Sequence, residues 1–283
     1  MDSGSECIDL IDPQEFDNII TLIRNFFKSK GLIEAHVQHR LSILAACEDP
    51  TTISTFQYDG QIWPLPQTGQ MWLELELLNN DQVPGYFCIT TSYRNEQNPV
   101  NGRHQLIFPL IDFEIKGDME DLIKLERELL EHLGFGDKDS FPRDKYLNIA
   151  KKYGVNELEH IHEKYIQRDY GNVFFLTDFP NYSSPFWNMK QNNDDVTAKK
   201  VDVIINGVEI FGSAERSSDP NEMLKQFLTI SNGEYAGLLY KTFGKQRVDN
   251  EFFDFCNHKF ITRSGGGIGY TRLHKAMKEN GLI

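Results

Sequence analysis

Two stretches of the chain carry the three-and-four spacing of an amphipathic helix. In the first, Phe16, Ile19, Ile20, Ile23, Phe26 and Phe27 fall on a single face. Its start is marked by Asp12 as N-cap, Pro13 at the first helical position and Glu15 completing a capping box, and Gly31 closes it. The second spans residues 118–134, with Leu122, Ile123, Leu129, Leu130 and Leu133 on one side and Glu120 set four residues ahead of Lys124. Short runs rich in β-branched and aromatic residues predict strands over residues 33–37, 86–91, 108–115, 173–177 and 201–205. Residues 137–168 read as one or two polar helices inserted between strands, and residues 191–195 as a polar loop. The connections mix hairpins with longer loops, which predicts an α+β fold: an antiparallel or mixed sheet flanked by helices.

A chain of 283 residues, 40% hydrophobic, can bury a substantial core, and a single large domain over residues 1–283 is expected. No stretch approaches the ~20 apolar residues that cross a bilayer, and the amino terminus lacks a signal-peptide pattern, so a soluble, cytoplasmic protein with no membrane partner is expected. Cys7, Cys47, Cys88 and Cys256 are scattered without a C-x-x-C pair, which fits buried reduced thiols better than zinc or disulfides. A formal net charge of −13 repels phosphate backbones, so extended tRNA binding is not favoured. The adjacent lysines Lys151-Lys152 and Lys199-Lys200, and the pair His160 and His162 on a polar helix, read as solvated surface.

Three segments carry candidate chemistry. Tyr93-Arg94-Asn95-Glu96 follows an apolar strand, and after a loop come Arg103-His104 and the strand from Phe108 through Asp112 to Glu114. An arginine on a strand is costly to bury unpaired, so Arg94 faces either an anionic ligand, which its planar fork suits, or Glu96 in an internal ion pair. Asp202, Glu209 and Arg216 are spaced by seven residues each along a strand, turn and strand, and two carboxylates facing one cleft can hold magnesium beside a triphosphate. Gly265-Gly266-Gly267-Ile268-Gly269-Tyr270-Thr271-Arg272 joins a glycine-rich strand to a last helix. Glycines there let a ligand approach the backbone, and their carboxyl-terminal position argues against a Rossmann fold.

Together these segments resemble class II aminoacyl-tRNA synthetases. Tyr93 through Glu114 looks like motif 2 and Gly265 through Leu273 like motif 3, in the right order. Asp202-Val203-Ile204-Ile205-Asn206-Gly207-Val208-Glu209 with Arg216 resembles the aspartyl, asparaginyl and lysyl subclass, as do Val173 through Pro180, Pro185-Phe186-Trp187, and Tyr58-Asp59-Gly60 leading to Gln67 through Glu74. The resemblance implies a mostly antiparallel class II core that activates an amino acid with ATP and magnesium. It implies that Arg94 bridges the ATP α-phosphate and the substrate carboxylate, that Arg272 grips the γ-phosphate, and that Arg103 or His104 clamps the triphosphate tail. Phe108 would stack on adenine, Glu96 would fix the adenine ring, and Asp202 and Glu209 would hold magnesium. Gln67, Gln70, Glu74, Asp112 and Arg216 would surround the amino acid.

The sequence departs from that pattern in two places. Residues 16–37 are similar to motif 1, which builds a homodimer, but Gln38 stands near where its proline is expected. With the first helix starting by Asp12, no anticodon-binding OB-fold domain is expected ahead of the core, and on that expectation the chain resembles free-standing cores of the archaeal asparagine-synthetase type, in which ammonia attacks aspartyl-adenylate. Aspartate-selective members carry a lysine where Leu73 stands, whereas Leu73-Glu74 with Cys47-Glu48 is more similar to asparaginyl enzymes. Either aspartate or asparagine is accommodated, and a lysine at Leu73 is expected to shift preference toward aspartate.

Overall fold

The computed structural model of the protein describes residues 10–38, 41–43, 50–96, 99, 105–183, 186–194 and 196–283. The chain opens with helix α1 (Pro13–Ser29), the short strand β1 (Ile33–Glu34) and a separate hairpin, β2 (Thr55–Tyr58) and β3 (Gln61–Pro64). Helix α2 (Gln70–Asn79) leads into the long hairpin of β4 (Gly85–Tyr93) and β5 (Ile107–Lys116), and α3 (Met119–His132) follows. Next come β6 (Arg143–Lys145), α4 (Tyr146–Tyr153), α5 (His160–Tyr170), β7 (Val173–Pro180), β8 (Thr197–Ile205) and β9 (Val208–Glu215). Three helices, α6 (Pro220–Thr229), α7 (Glu234–Phe243) and α8 (Lys245–Cys256), precede β10 (Arg263–Gly269) and α9 (Tyr270–Glu279).

One eight-stranded sheet organises these elements in the order β1-β4-β5-β10-β9-β8-β7-β6. Only the two edge pairings, β1 with β4 and β6 with β7, are parallel. The tight β8–β9 turn places Asn206 and Gly207 at φ 52° and 71°, the conformation for which an Asn-Gly pair is suited. Because successive residues of a strand face opposite sides, the sheet separates two environments. Phe87, Ile111, Phe113, Val201, Val203, Phe211 and Ile268 face α1, α3 and α9 in the main apolar core. The opposite face carries Asp112, Glu114, Lys200, Asp202, Gly212, Ala214, Gly265 and Gly267, with α2 and α6–α8 packing around its end through a second apolar cluster that includes Trp187, Phe227 and Phe252.

All five predicted strands form, the first as only two residues, and both predicted helices form with different side-chain pairings. Asp12 caps α1 by accepting from the Gln14 and Glu15 backbone N–H groups, but the Glu15 side chain turns to α9, where it meets His274 Nε2 at 2.6 Å and Lys278 Nζ at 2.9 Å. Glu120 likewise pairs with Arg143 rather than Lys124, because Arg143 presents both guanidinium nitrogens at 2.7 Å. His162 is buried, not surface-exposed: its Nδ1 accepts the Glu159 backbone N–H at 2.8 Å and closes the start of α5, while His160 is exposed. Within the expected polar loop, Gln191 forms an isolated bridge with Ala198, residues 192–194 are coil and turn, and Asp195 lies outside the described residues. Cys88 is buried and Cys256 half-buried, both as free thiols, and Cys7 and Cys47 lie outside the described residues. No helix among the described residues is long and apolar enough to cross a membrane.

Glu126 of α3 is fully buried against the sheet, and neither of its carboxyl oxygens has a hydrogen-bond partner as an acceptor. The neighbouring Ser213 hydroxyl donates to the Val201 carbonyl at 3.1 Å, so its pull on the Glu126 carboxyl toward the ionised form is outweighed by burial. Burial pushes the Glu126 carboxyl up to about 8. A carboxyl raised in the folded state favours folding while it stays protonated, so stability declines as pH rises from about 4.5 to about 8. Urea midpoints measured across this window should fall in the wild type and fall less in Glu126→Gln; parallel curves would refute a protonated Glu126.

Candidate active site

On the sheet face opposite the main core lies a cleft of about 280 Å³ lined by residues from α2, β5, β8, β9, β10 and the segments around them. Its floor follows from the register. Gly267 sits between Asp112 of β5 and Gly212 of β9, and Gly265 between Glu114 and Ala214. A Cβ at Gly265 would lie 2.2 Å from the Phe113 carbonyl oxygen and 2.3 Å from Glu114 Cδ, and one at Gly267 would lie 2.8 Å from Gln70 Nε2 and 2.9 Å from Asp112 Oδ1. These positions therefore require glycine, and a ligand there can lie directly against the backbone.

One end of the cleft gathers Arg94, Glu96, Phe108, Glu209, Thr271 and Arg272. Arg94 follows β4, where its backbone N–H donates to the Leu106 carbonyl at 2.8 Å, and its guanidinium lies 5.7 Å from the centre of the Phe108 ring. Arg272 leaves the first turn of α9, donates from Nη1 to the Glu209 carbonyl oxygen at 2.9 Å and stands 3.8 Å from Glu209 Oε2. Asp202 is buried on the adjacent strand, with Lys200 Nζ 3.5 Å from its Oδ1.

Asp202 and Glu209 face a common gap at Gly212, where a Cβ would lie 3.3 Å from Glu209 Oε1 and 3.8 Å from Asp202 Oδ1. Two carboxylates converging on a space that a methyl group would fill suit a divalent cation completed by ligand oxygens and water. No cluster of three or more His, Cys, Asp or Glu side chains suited to a metal exists among the described residues. The Lys200 and Arg272 cations beside each carboxylate would need to yield to such an ion.

The other end is built on buried charge. Arg216 is 3% exposed and donates from Nε to Glu114 Oε1 at 3.0 Å and from Nη2 to Gln70 Oε1 at 2.9 Å, with Glu74 Oε1 3.6 Å away. Glu74 is fully buried and held by Arg263 Nε at 2.8 Å and by the Asn188 side-chain amide at 2.5 Å. Burial pushes the Glu114 carboxyl up, against the pull of Arg216. Asp112 lies beneath and is also pushed up, to about 6, by burial. It accepts from the Thr68 hydroxyl and the Gly69 backbone N–H, both at 2.8 Å, and from Gln70 Nε2 at 3.2 Å, which fixes the turn that starts α2.

The structure thus brings Arg94, Glu96, Phe108, Glu209, Arg272, Gln70, Glu74 and Arg216 together along one cleft. It sets Gln67, Asp112 and Asp202 behind its surface: Gln67 is fully buried and donates to the Thr52 hydroxyl. Arg103, His104, Pro185 and the Cys47-Glu48 pair lie outside the described residues. Leu73 is fully buried in the second apolar cluster, turned away from the cleft that Glu74 lines, so a lysine there would enter the core rather than meet a ligand. Sequence reasoning also placed Lys200 on the surface, whereas it is 3% exposed and lines the cleft. Its alternation with Asp202 on the same strand was the available signal. Arg263 and Asn188 had no such signal, because their roles arise from contacts made 189 and 114 residues away along the chain.

The family of class II tRNA synthetases (D, K and N) matches residues 14–283. An aspartate–tRNA(Asp) ligase of Thermoplasma volcanium is 25% identical over 240 residues, covering 74% of this chain and 54% of that protein. An asparagine–tRNA ligase of Azobacteroides pseudotrichonymphae is 29% identical over 175 residues, covering 56% of this chain and 34% of that protein. The solved structure of asparaginyl-tRNA synthetase from Pyrococcus horikoshii, complexed with asparaginyl-adenylate, superposes with a TM-score of 0.76 at 21% identity, covering 94% of this chain and 64% of that one. The chain therefore spans between about a third and two-thirds of the length of these relatives. With its sheet order, its glycine floor and a match that extends from α1 to the last residue, the chain belongs to the class II tRNA synthetase family of the aspartate, lysine and asparagine enzymes.

Proposed function

We propose that this chain is an ATP-dependent ligase that activates aspartate or asparagine as the aminoacyl-adenylate and passes the acyl group to ammonia or another small amine. The observation that carries the reading is the division of the cleft: Arg94, Phe108 and Arg272 at one end, Gln70, Glu74 and Arg216 at the other, joined by a floor without side chains. On this reading ATP lies with its adenine against Phe108 and Glu96 and its phosphates toward Arg272, and the amino acid lies toward Gln70 and Arg216. The substrate carboxylate oxygen then attacks the α-phosphorus in line, pyrophosphate leaves, and the Arg94 guanidinium offsets the charge that gathers on the α-phosphate oxygens. Such a reaction depends on alignment and charge neutralisation, and needs no nucleophile from the protein. Magnesium, when bound by Asp202 and Glu209, would supply further neutralisation of the triphosphate. In the second half-reaction the amine nitrogen attacks the acyl carbon, the acyl–phosphate bond breaks to release AMP, and a proton leaves the nitrogen.

The tRNA ligases among the relatives favour a second acceptor, the tRNA terminus. The net charge of −13 supports the small amine. ATP–pyrophosphate exchange against each amino acid, followed by product analysis with ammonia or with total tRNA, separates the two. Exchange with aspartate and an ammonia-dependent amide product would establish the first reading, charged tRNA would establish the second, and absence of exchange would refute adenylation.

Arg94→Ala should lower exchange by about 100-fold or more, the scale of losing one positioned transition-state donor, with an unchanged melting temperature; undiminished exchange would remove Arg94 from the site. Gly212→Ala should raise the magnesium concentration needed for half-maximal exchange, because the methyl group occupies the gap between the two carboxylates, and an unaltered magnesium dependence would exclude that gap as the ion's place. Leu73→Lys should destabilise the fold by roughly 3 kcal/mol or more, as expected for an unpaired buried charge, instead of shifting preference toward aspartate; denaturant unfolding measures it.

A further inference from the structure

We propose that Glu163 of α5 is a positioning residue for Glu209: it holds the bulge in β9 that turns the Glu209 carboxylate into the cleft. The inference rests on the adenylation reading above, in which Glu209 and Asp202 hold magnesium. Along β8 and β9 the pairing runs Lys200 with Ala214, Asp202 with Gly212 and Val203 with Phe211. It then shifts by one residue, so that Ile204 meets Glu209 and Ile205 meets Val208, which leaves Ile210 as the extra residue of a β-bulge. Strand residues two apart share a face, so regular pairing would turn Glu209 with Phe211 toward the main apolar core. The bulge instead sends both Ile210 and Phe211 into that core. Glu209 is returned to the face of Asp202, where a Cβ on Gly212 would meet its Oε1 at 3.3 Å.

The backbone of Glu209 is held from outside the ladder. The two-residue turn at Asn206 and Gly207 closes on the pair Ile205 and Val208, so the alternation of an antiparallel ladder points the Glu209 N–H and C=O away from β8. On that side Phe211 is the last residue of β9 that pairs with β10. The Glu209 N–H donates to Glu163 Oε2 at 2.8 Å, and its carbonyl accepts from Arg272 Nη1 at 2.9 Å. Glu163 reaches this place because α5 lies across the face that carries Ile204. Ile166, three residues on, shares a third apolar cluster with Ile204, and a Cβ at Gly207 would lie 3.1 Å from Lys164 Cα. The two holds differ. Arg272 lines the cleft and is directed to phosphate in the proposed function, so its bond to Glu209 can be exchanged when ligand enters. Glu163 is not among the described residues that line the cleft, so its bond does not depend on what the cleft holds. A carboxylate acceptor makes that bond charge-assisted, and an outer partner of this kind orients a metal ligand.

The test compares wild type with Glu163→Ala, which removes the acceptor, Glu163→Asp, which withdraws it by one methylene, and Glu163→Gln, whose amide oxygen still accepts an N–H. Three quantities are measured on each: the magnesium dependence of pyrophosphate exchange, manganese(II) binding by electron paramagnetic resonance, and hydrogen exchange of the Glu209 amide. Glu163→Ala and Glu163→Asp should raise the magnesium concentration for half-maximal exchange about tenfold or more, with most of kcat kept at saturating magnesium. Both should bind manganese correspondingly more weakly and lose protection of the Glu209 amide, while Glu163→Gln stays close to wild type. A merely structural role would lower stability or kcat without moving the metal dependence. Glu163→Ala with the wild-type magnesium dependence, or Glu163→Gln as impaired as Glu163→Ala, overturns the inference and leaves adenylation standing. If the wild type shows no exchange, adenylation fails and manganese decides: weaker binding by Glu163→Ala than by wild type and Glu163→Gln sustains the inference, and equal binding or none overturns it. Thermal unfolding reports whether Glu163→Ala folds, and if it does not, Glu163→Asp takes its place.

Discussion

Four buried charges, Glu74, Glu114, Arg216 and Arg263, set the shape of one end of the cleft. Each is 3% exposed or less, and each ion would be destabilising alone in that environment. They persist together because two guanidinium groups meet two carboxylates, with Gln70 and Asn188 supplying further hydrogen bonds. The four residues come from α2, β5, the segment after β9 and the start of β10, so the ion pairs also bind α2 to the centre of the sheet. Loss of any one partner leaves a buried charge uncompensated, which couples the shape of the cleft to the stability of that junction.

The sheet's alternation makes such a network possible without exposing the core. Phe113 and Val201 face the helices while Asp112, Glu114, Lys200 and Asp202 face the site, so one set of strands serves both the apolar core and the polar cleft. The glycines of β10 complete the arrangement. They allow the strand to pass between β5 and β9 at distances that a Cβ would not permit, and leave Glu114, Asp112 and Gln70 the room their hydrogen bonds need. Asp112 reaches no ligand surface, yet it fixes Thr68, Gly69 and Gln70 and so sets where α2 begins.

Much of this was legible in the sequence because local signals coincided with long-range ones. Asp12 and Pro13 marked the start of α1, the Asn206-Gly207 turn paired β8 with β9, and the glycine run of β10 could hardly serve anything but a close backbone approach. Arg94, Phe108, Glu209 and Arg272 sat beside such signals and converge as expected. Other expectations failed where a distant partner outweighed the local one. Glu15 and Glu120 turned from their own helices to His274 and Arg143, Leu73 lies in the apolar cluster rather than facing the cleft, and Lys200 is buried rather than on the surface. Helices α6–α8 had no counterpart in the sequence reading; they enclose Trp187 and Phe227, contacts that become evident only after the sheet has folded.

The charge distribution follows from the same geometry. A chain with a formal charge of −13 places Arg94, Lys200, Arg216 and Arg272 along one cleft. Concave, weakly polarisable walls focus a local field, so these cations act on a bound anion more strongly than the distant surface carboxylates do. Within the cleft the cations also differ in what holds them: Arg216 is fixed by buried Glu114 and by Gln70, whereas the Arg272 and Glu209 side chains stand 3.8 Å apart. A rigid guanidinium defines a position before the ligand arrives, and looser pairs can be redistributed once phosphate or carboxylate enters. One end of the cleft is thus preorganised for shape, and the other is poised to exchange internal counter-ions for the charges of its ligand.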